Sequence, residues 1–391
     1  MKELQEIVAA WEAISAEGRE AVLATVVQVS GSTYRRPGAR MLLTGEGRLA
    51  GSVSGGCLEG DLVKKAHWHT RKGATLVTYD STDEDDVVWG FGLGCNGMVQ
   101  VLLERVSPQA PGPLRLLQSV LKERRAGVIA TVIGGENAGL IGRRLLLMPA
   151  GGKEGTIFDA ALSAQVEEDA RAVLAAQKSR TETYTLPGST SIVVFLEAVL
   201  PPLPLVIFGA NHDALPLMRL AKELGWHVTV ADMRGMQPRP ERFPGADAVF
   251  AGSAEALCRE IGLDAQTAAV VMTHNYPDDK RILRRLLETS VSYIGQLGPK
   301  ARTERLLAEI SDDGFQVTDA HRSRLHGPVG LDLGADTPEQ IALSIAAEIQ
   351  AARAGRTGES LRNRREPLHP HPAALPVPGA RKEQASCVIP A

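Results

Sequence analysis

The chain has 391 residues, enough for two or three domains, and its 44% hydrophobic and 23% charged content is that of a soluble globular protein. A net charge of −3 gives no basic footprint for nucleic acid, and no run approaches the ~18 consecutive apolar residues of a membrane span. Four cysteines (Cys57, Cys95, Cys258 and Cys387) with no C-x-x-C argue against a structural zinc site and a disulfide scaffold.

The start, Met1 to Glu6, is acidic and lacks the basic-then-apolar layout of a secretory signal, so a cytoplasmic address with reduced thiols is expected. Apolar positions at Leu4, Ile7, Val8, Trp11 and Ile14 predict an amphipathic helix over 3–17. A valine-rich strand over 21–29 follows. Next comes a loop, Gly31-Ser32-Thr33-Tyr34-Arg35-Arg36-Pro37-Gly38, and then a hairpin of strands near 40–44 and 48–53. The hairpin runs into Gly51-Ser52-Val53-Ser54-Gly55-Gly56-Cys57-Leu58-Glu59, and apolar Leu58, Leu62, Val63 and Ala66 continue at helical spacing to about residue 70. Such a layout places Cys57 in the first turn of a helix, where free N–H groups and the helix dipole favour the thiolate. The alternative for each cysteine is a small buried apolar side chain.

A strand near 74–79 leads into an acidic segment, Asp80 with Asp83 to Asp86, read as a solvated loop. It precedes a second glycine-rich cysteine loop, Gly92-Leu93-Gly94-Cys95-Asn96-Gly97, and a strand at 98–106. A helix near 114–125, strands near 127–133 and 139–148, a helix near 160–178 and a strand near 191–198 complete an α+β domain over 1–200.

Pro201-Pro202-Leu203-Pro204 marks the boundary. Beyond it, short apolar strands (205–208, 227–232, 247–251, 268–272, 291–295) alternate with helices (about 215–224, 254–261, 278–289, 299–309). That alternation predicts a doubly wound parallel sheet over 201–354, closed by a helix from Thr337 to Arg353 with threonine and proline at its start. Residues 355–391 are rich in arginine and proline without periodicity and read as a disordered tail.

Gly209-Ala210-Asn211-His212-Asp213-Ala214 stands where a dinucleotide-binding turn would stand, and Asp232 follows at the spacing of a ribose-binding acid. The helix start favours a phosphate. Asn211 replaces the middle glycine, and its side chain is expected to fill room that a pyrophosphate needs. Topology directs His212 and His274 to the same crevice edge, and Asp278 is expected to cap the helix after His274.

Taken together, the motifs around Arg35–Arg36, Cys57 and Cys95 resemble the XdhC/CoxI family. In the second half Gly209-Ala210-Asn211-His212, Asp232-Met233-Arg234, Thr273-His274, Tyr293-Ile294-Gly295-Gln296-Leu297-Gly298 and Pro328-Val329-Gly330-Leu331-Asp332 resemble the family's Rossmann-type domain. The sequence departs from the family pattern at Asn211 and Asn96, where glycine is usual.

The resemblance implies a molybdenum-cofactor chaperone. Such a protein binds molybdopterin or its dinucleotide form, protects it during sulfuration with a cysteine desulfurase, and passes it to a molybdenum hydroxylase apoenzyme. It also implies a homodimer. Cys57 and Cys95 are the candidate molybdenum or sulfur contacts, since soft thiolates suit thiophilic metals. Gly55 and Gly56 would frame that contact. Arg35 and Arg36 would neutralise phosphate, while Gly209, Asn211, His212, Asp232 and His274 would hold the phosphate or nucleotide end. The alternative is an NAD(P)-binding oxidoreductase built on the second half. A molybdenum hydroxylase itself is excluded by size and by the absence of iron–sulfur cysteine spacing.

Overall fold

The computed structural model describes residues 1–56, 58–80, 97–148, 152–157, 159–186, 191–233, 239–365 and 381–382. The chain forms two compact units, Glu3–Pro201 and Pro202–Leu368.

The first unit contains α1 (Lys2–Ala16), β1 (Ala21–Gly31), β2 (Arg40–Thr44), β3 (Gly47–Gly51), α2 (Glu59–His69), β4 (Thr75–Asp80), β5 (Gly97–Val106) and α3 (Leu114–Glu123). There follow β6 (Gly127–Gly135), β7 (Arg144–Leu147), β8 (Lys153–Gly155), α4 (Ala160–Ala176), β9 (Arg180–Thr185) and β10 (Ser191–Val199). Strands β4-β5-β1-β2-β3 form one antiparallel sheet, and β8-β7-β6-β10-β9 form a second.

Why β1 is buried along nearly its whole length follows from its two covered faces. Val22, Ala24 and Val26 pack with Leu58, Leu62 and Ala66 of the α2 region. Leu23 and Val27 point the other way, toward Ile129, Ile133, Val193 and Phe195 of the second sheet. A bulge between Val26 and Gln28 inverts the alternation, which returns Val29 to the helix side. On the outer face of the second sheet, Val128, Ala130 and Val132 pack with Leu162, Val166 and Val173 of α4. The layers are therefore helix, sheet, sheet, helix.

Two ion pairs cross the seam between the sheets. The buried Arg40 guanidinium of β2 donates to both carboxylate oxygens of buried Glu197 on β10, at 2.7 Å for Nη1 to Oε1. Arg144 of β7 pairs with Glu104 of β5.

The second unit contains β11 (Pro204–Phe208), α5 (Ala214–Glu223), β12 (His227–Asp232), β13 (Ala248–Ala251), α6 (Ala254–Glu260), β14 (Ala268–Val271) and α7 (Tyr276–Leu287). It continues with β15 (Tyr293–Gln296), α8 (Lys300–Asp312), α9 (Asp319–Ser323), β16 (Leu325–His326) and α10 (Pro338–Arg353). All its strands are parallel, in the order β13-β12-β11-β14-β15-β16. The order reverses between β11 and β14, which opens a crevice at their carboxyl ends. Apolar clusters cover both faces of this sheet, so its strands read as continuous apolar runs. Arg381–Lys382 add a short strand, β17, parallel to β4.

The α+β and doubly wound classes hold. The differences are local. The strand expected over 139–148 begins only at Arg144, because Gly142 turns at φ +83 after a 3-10 turn at Ala138–Leu140. Strand β9 is an edge with only Tyr184 buried, so its sequence carries no apolar alternation. The cap of α7 is Asn275, whose side chain accepts from the Asp278 N–H at 3.0 Å; Asp278 is not the cap. Most of the tail, including Cys387, lies outside the described residues.

Candidate functional site

In the second unit the crevice is built by three strand ends. β11 ends on Phe208, and Gly209 turns the chain at φ +131. A Cβ there would lie 2.4 Å from the Met272 carbonyl oxygen, so only glycine fits between the two strands. Two side chains fix the turn after it. Arg242 Nη2 donates to the Ala210 carbonyl at 2.9 Å, and Asn211 Nδ2 donates to the Thr273 carbonyl at 3.0 Å.

Asn211 is therefore turned onto the sheet as a cross-strand tie, and its amide is consumed there. The first intrahelical bonds of α5 run from Ala214 to Asn211 and from Leu215 to His212. The N–H groups of Asn211, His212 and Asp213 thus precede the helical ladder, as at any helix N-terminus.

Gly209, Ala210, Asn211, Asp232, Met233 and Thr273 line a cavity of about 230 Å³ together with Arg239 and Arg242. The structure thus brings together Gly209, Asn211 and Asp232 of the expected residues. His274 stands beside it in the left-handed region at φ +57, with its Nε2 2.5 Å from Asp213 Oδ2. His212 is exposed and does not line the cavity. Arg239 and Arg242 carry no motif that marks them as ligands in the sequence; their signal is their position in the connection after the β12 acid, where a cation reaches an anionic ligand.

Thr273 is itself held from below. Its Oγ1 donates to the buried Asp279 carboxylate at 2.5 Å, and that carboxylate also accepts from Gln296 Nε2 (3.1 Å) and Arg302 Nη2 (2.7 Å).

In the first unit the loop before α2 is organised by Glu59. Its carboxylate accepts from Ser52 Oγ (2.8 Å), Val53 N (3.2 Å), Ser54 N (2.8 Å) and Ser54 Oγ. Burial alone would raise this carboxyl, but the bonds from Ser54 and Ser52 outweigh it and hold it below its ordinary value of 4.5. Gly51 turns at φ +78 where a Cβ would meet the Arg40 carbonyl at 2.2 Å, and the exposed Tyr34 ring lies over Gly55. Gly56 turns at φ +117.

Arg35 is paired with Glu3, which also accepts from the Ser52 N–H at 2.7 Å. Its charge is already used in bracing the loop. Arg36 is half-buried beside it. Cys57, Cys95 and the acidic segment after Asp80 lie outside the described residues. Of the cysteines, Cys258 is described: burial pushes its thiol up to about 11, which marks it as a packing residue.

Two family models match the chain. Residues 205–349 match the XdhC Rossmann domain, and residues 14–80 with 120–185 match the XdhC and CoxI family. The chain belongs to the XdhC and CoxI family. It is 34% identical over 344 residues to a protein of Bacillus subtilis (strain 168) named as a probable xanthine dehydrogenase subunit, covering 88% of this chain and 96% of that one. It is 22% identical to the molybdenum cofactor insertion chaperone PaoD of Escherichia coli (strain K12), covering 86% and 84%. A solved structure of a xanthine dehydrogenase from Bacillus halodurans superposes with a TM-score of 0.72 at 29% identity, over 90% of this chain and 98% of that one. Family membership thus spans both units and includes the glycine loop up to Asp80.

Proposed function

We propose that this protein binds the molybdenum cofactor as cargo, shelters it while a sulfur ligand is installed, and delivers it to a xanthine-dehydrogenase-type apoenzyme. The observation that carries the reading is the likeness over most of both chains to a molybdenum cofactor insertion chaperone. The chain's own residues suit such cargo. Cys57 and Cys95 are its candidate soft ligands for molybdenum or sulfur. Gly55 and Gly56 precede Cys57 without side chains of their own, and Arg36 is the candidate charge for a phosphate.

The crevice suits a phosphate-bearing end. Arg239 and Arg242 supply charge, Asp232 can accept from a sugar hydroxyl, and the start of α5 presents N–H donors. His274 and His212 are further candidate contacts for that end of the cargo. A homodimer, and a cysteine desulfurase as sulfur donor, belong to the same proposal.

The oxidoreductase reading rests on Asp232 and the turn at Gly209, and is weaker because Asn211 stands where the dinucleotide fingerprint has its middle glycine. The test is the content of protein purified from cells that make the cofactor. Molybdenum and pterin in near-equal amounts are expected. Protein free of both that binds NAD(P) tightly would transfer the assignment to an oxidoreductase.

A further inference from the structure

A second hollow lies in the first unit, at the far end of α2 from the cysteine loop, and no part of the proposed cargo reading uses it. It has a volume of about 370 Å³, within the range of small-molecule sites. The carboxyl end of α2 and the 3-10 turn that follows contribute Trp68, His69, Arg71 and Lys72. The start of β4 contributes Thr75 and Leu76, and the loop before β7 contributes Ala138 and Ile141.

Two features of the lining stand apart from what the fold requires. Trp68 is 51% exposed, although aromatics make up only 4% of the chain and Trp11 and Trp226 are buried. The indole and the His69 ring form a T-shaped pair with centroids 4.9 Å apart, and both residues line the hollow, where the half-exposed indole can offer an aromatic surface for stacking.

The second feature is the pair of cations. Lysine and arginine at a helix carboxyl end ordinarily serve its free carbonyls. Here those carbonyls have other partners. The Thr70 N–H donates to the Ala66 and Trp68 carbonyls. Arg105 Nη2 donates to the His67 carbonyl at 3.0 Å, and Thr75 Oγ1 to the His69 carbonyl at 2.9 Å. The last turn is closed without Arg71 and Lys72. Both are exposed, and neither forms an ion pair among the described residues. A flat aromatic face beside two uncommitted cations matches a ligand with a flat ring at one end and a dianion at the other.

We infer that this hollow binds a planar heteroaromatic phosphate monoester, of the class of a nucleoside monophosphate, with the ring on Trp68 and the phosphate on Arg71 and Lys72.

Calorimetric titration of the full-length protein with AMP tests the inference, with adenosine and ribose 5-phosphate as probes that lack the phosphate and the ring. AMP is expected to bind at least tenfold more tightly than either. R71A/K72A, which changes only exposed side chains, is expected to weaken AMP about tenfold or more, and W68A to abolish the advantage of AMP over ribose 5-phosphate. W68F, which keeps an aromatic face, should retain part of that advantage. No AMP binding, equal binding of ribose 5-phosphate, or AMP binding unchanged in R71A/K72A and W68A would overturn it. The last result would place AMP elsewhere in the chain. The outcome is independent of whether molybdenum and pterin copurify.

Discussion

Glu59 is the residue on which the glycine loop depends. It gathers four donors from three consecutive residues and ties them to the first turn of α2. Removing it leaves partly buried N–H and O–H groups without their acceptor, so Glu59→Ala is expected to cost about 1–3 kcal/mol in a thermal or denaturant melt. The pH dependence has a definite sign. A carboxyl held below 4.5 in the folded chain stabilises it above that value, and the contribution fades as pH falls through the lowered folded value. The difference in melting temperature between wild type and Glu59→Gln should therefore shrink on acidification below pH 4.5. A difference that stays constant or grows would show that the carboxylate is not what holds the loop.

At the scale of elements, the crevice wall is a relay from α7 and α8 to the end of β14. Asp279 is 1% exposed and accepts from Thr273, Gln296 and Arg302. Asp279→Ala would strand the Arg302 charge and release Thr273 from below, at an expected cost of about 3–5 kcal/mol measured by chemical denaturation. A loss under 1 kcal/mol would mean the network is dispensable. Thr273→Ser, which keeps the donor, should remain near wild type.

Much of this unit was legible in sequence. The apolar strands at Leu205–Phe208 and Val228–Ala231 lie in a sheet covered on both faces, so composition alone marked them. The roles of single polar residues were not legible. Asn211 read as an obstruction, whereas its amide turns onto the Thr273 carbonyl, a partner 62 positions away in sequence. Asp278 read as a helix cap, although Asn275 stands at the residue before the helix and takes that place. Strand β9 leaves no period-2 signal in the sequence because it is an edge strand with one buried residue. Arg239 and Arg242 are brought to the crevice by the turn at Pro240–Arg242, and turn geometry of that kind leaves no periodic trace.

At the scale of the whole molecule, each unit has a core of its own. In the first, two sheets meet across a seam that holds two buried or nearly buried ion pairs, Arg40–Glu197 and Arg144–Glu104. Their partners come from sheets far apart in sequence, so they specify how the sheets pair rather than adding much net stability. The second unit offers a polar crevice at the reversal of its strand order. A fold of this kind hosts many functions, and the reading as a cargo carrier rests on family likeness together with residues suited to a soft metal and a phosphate.

The most direct test of that reading is transfer. Protein loaded with the molybdenum cofactor is mixed with a xanthine-dehydrogenase-type apoenzyme, and the appearance of hydroxylase activity is followed for wild type and Cys57→Ala. Wild type is predicted to activate the apoenzyme faster than free cofactor does, and Cys57→Ala to lose most of that advantage. Activation no faster than with free cofactor would contradict the account.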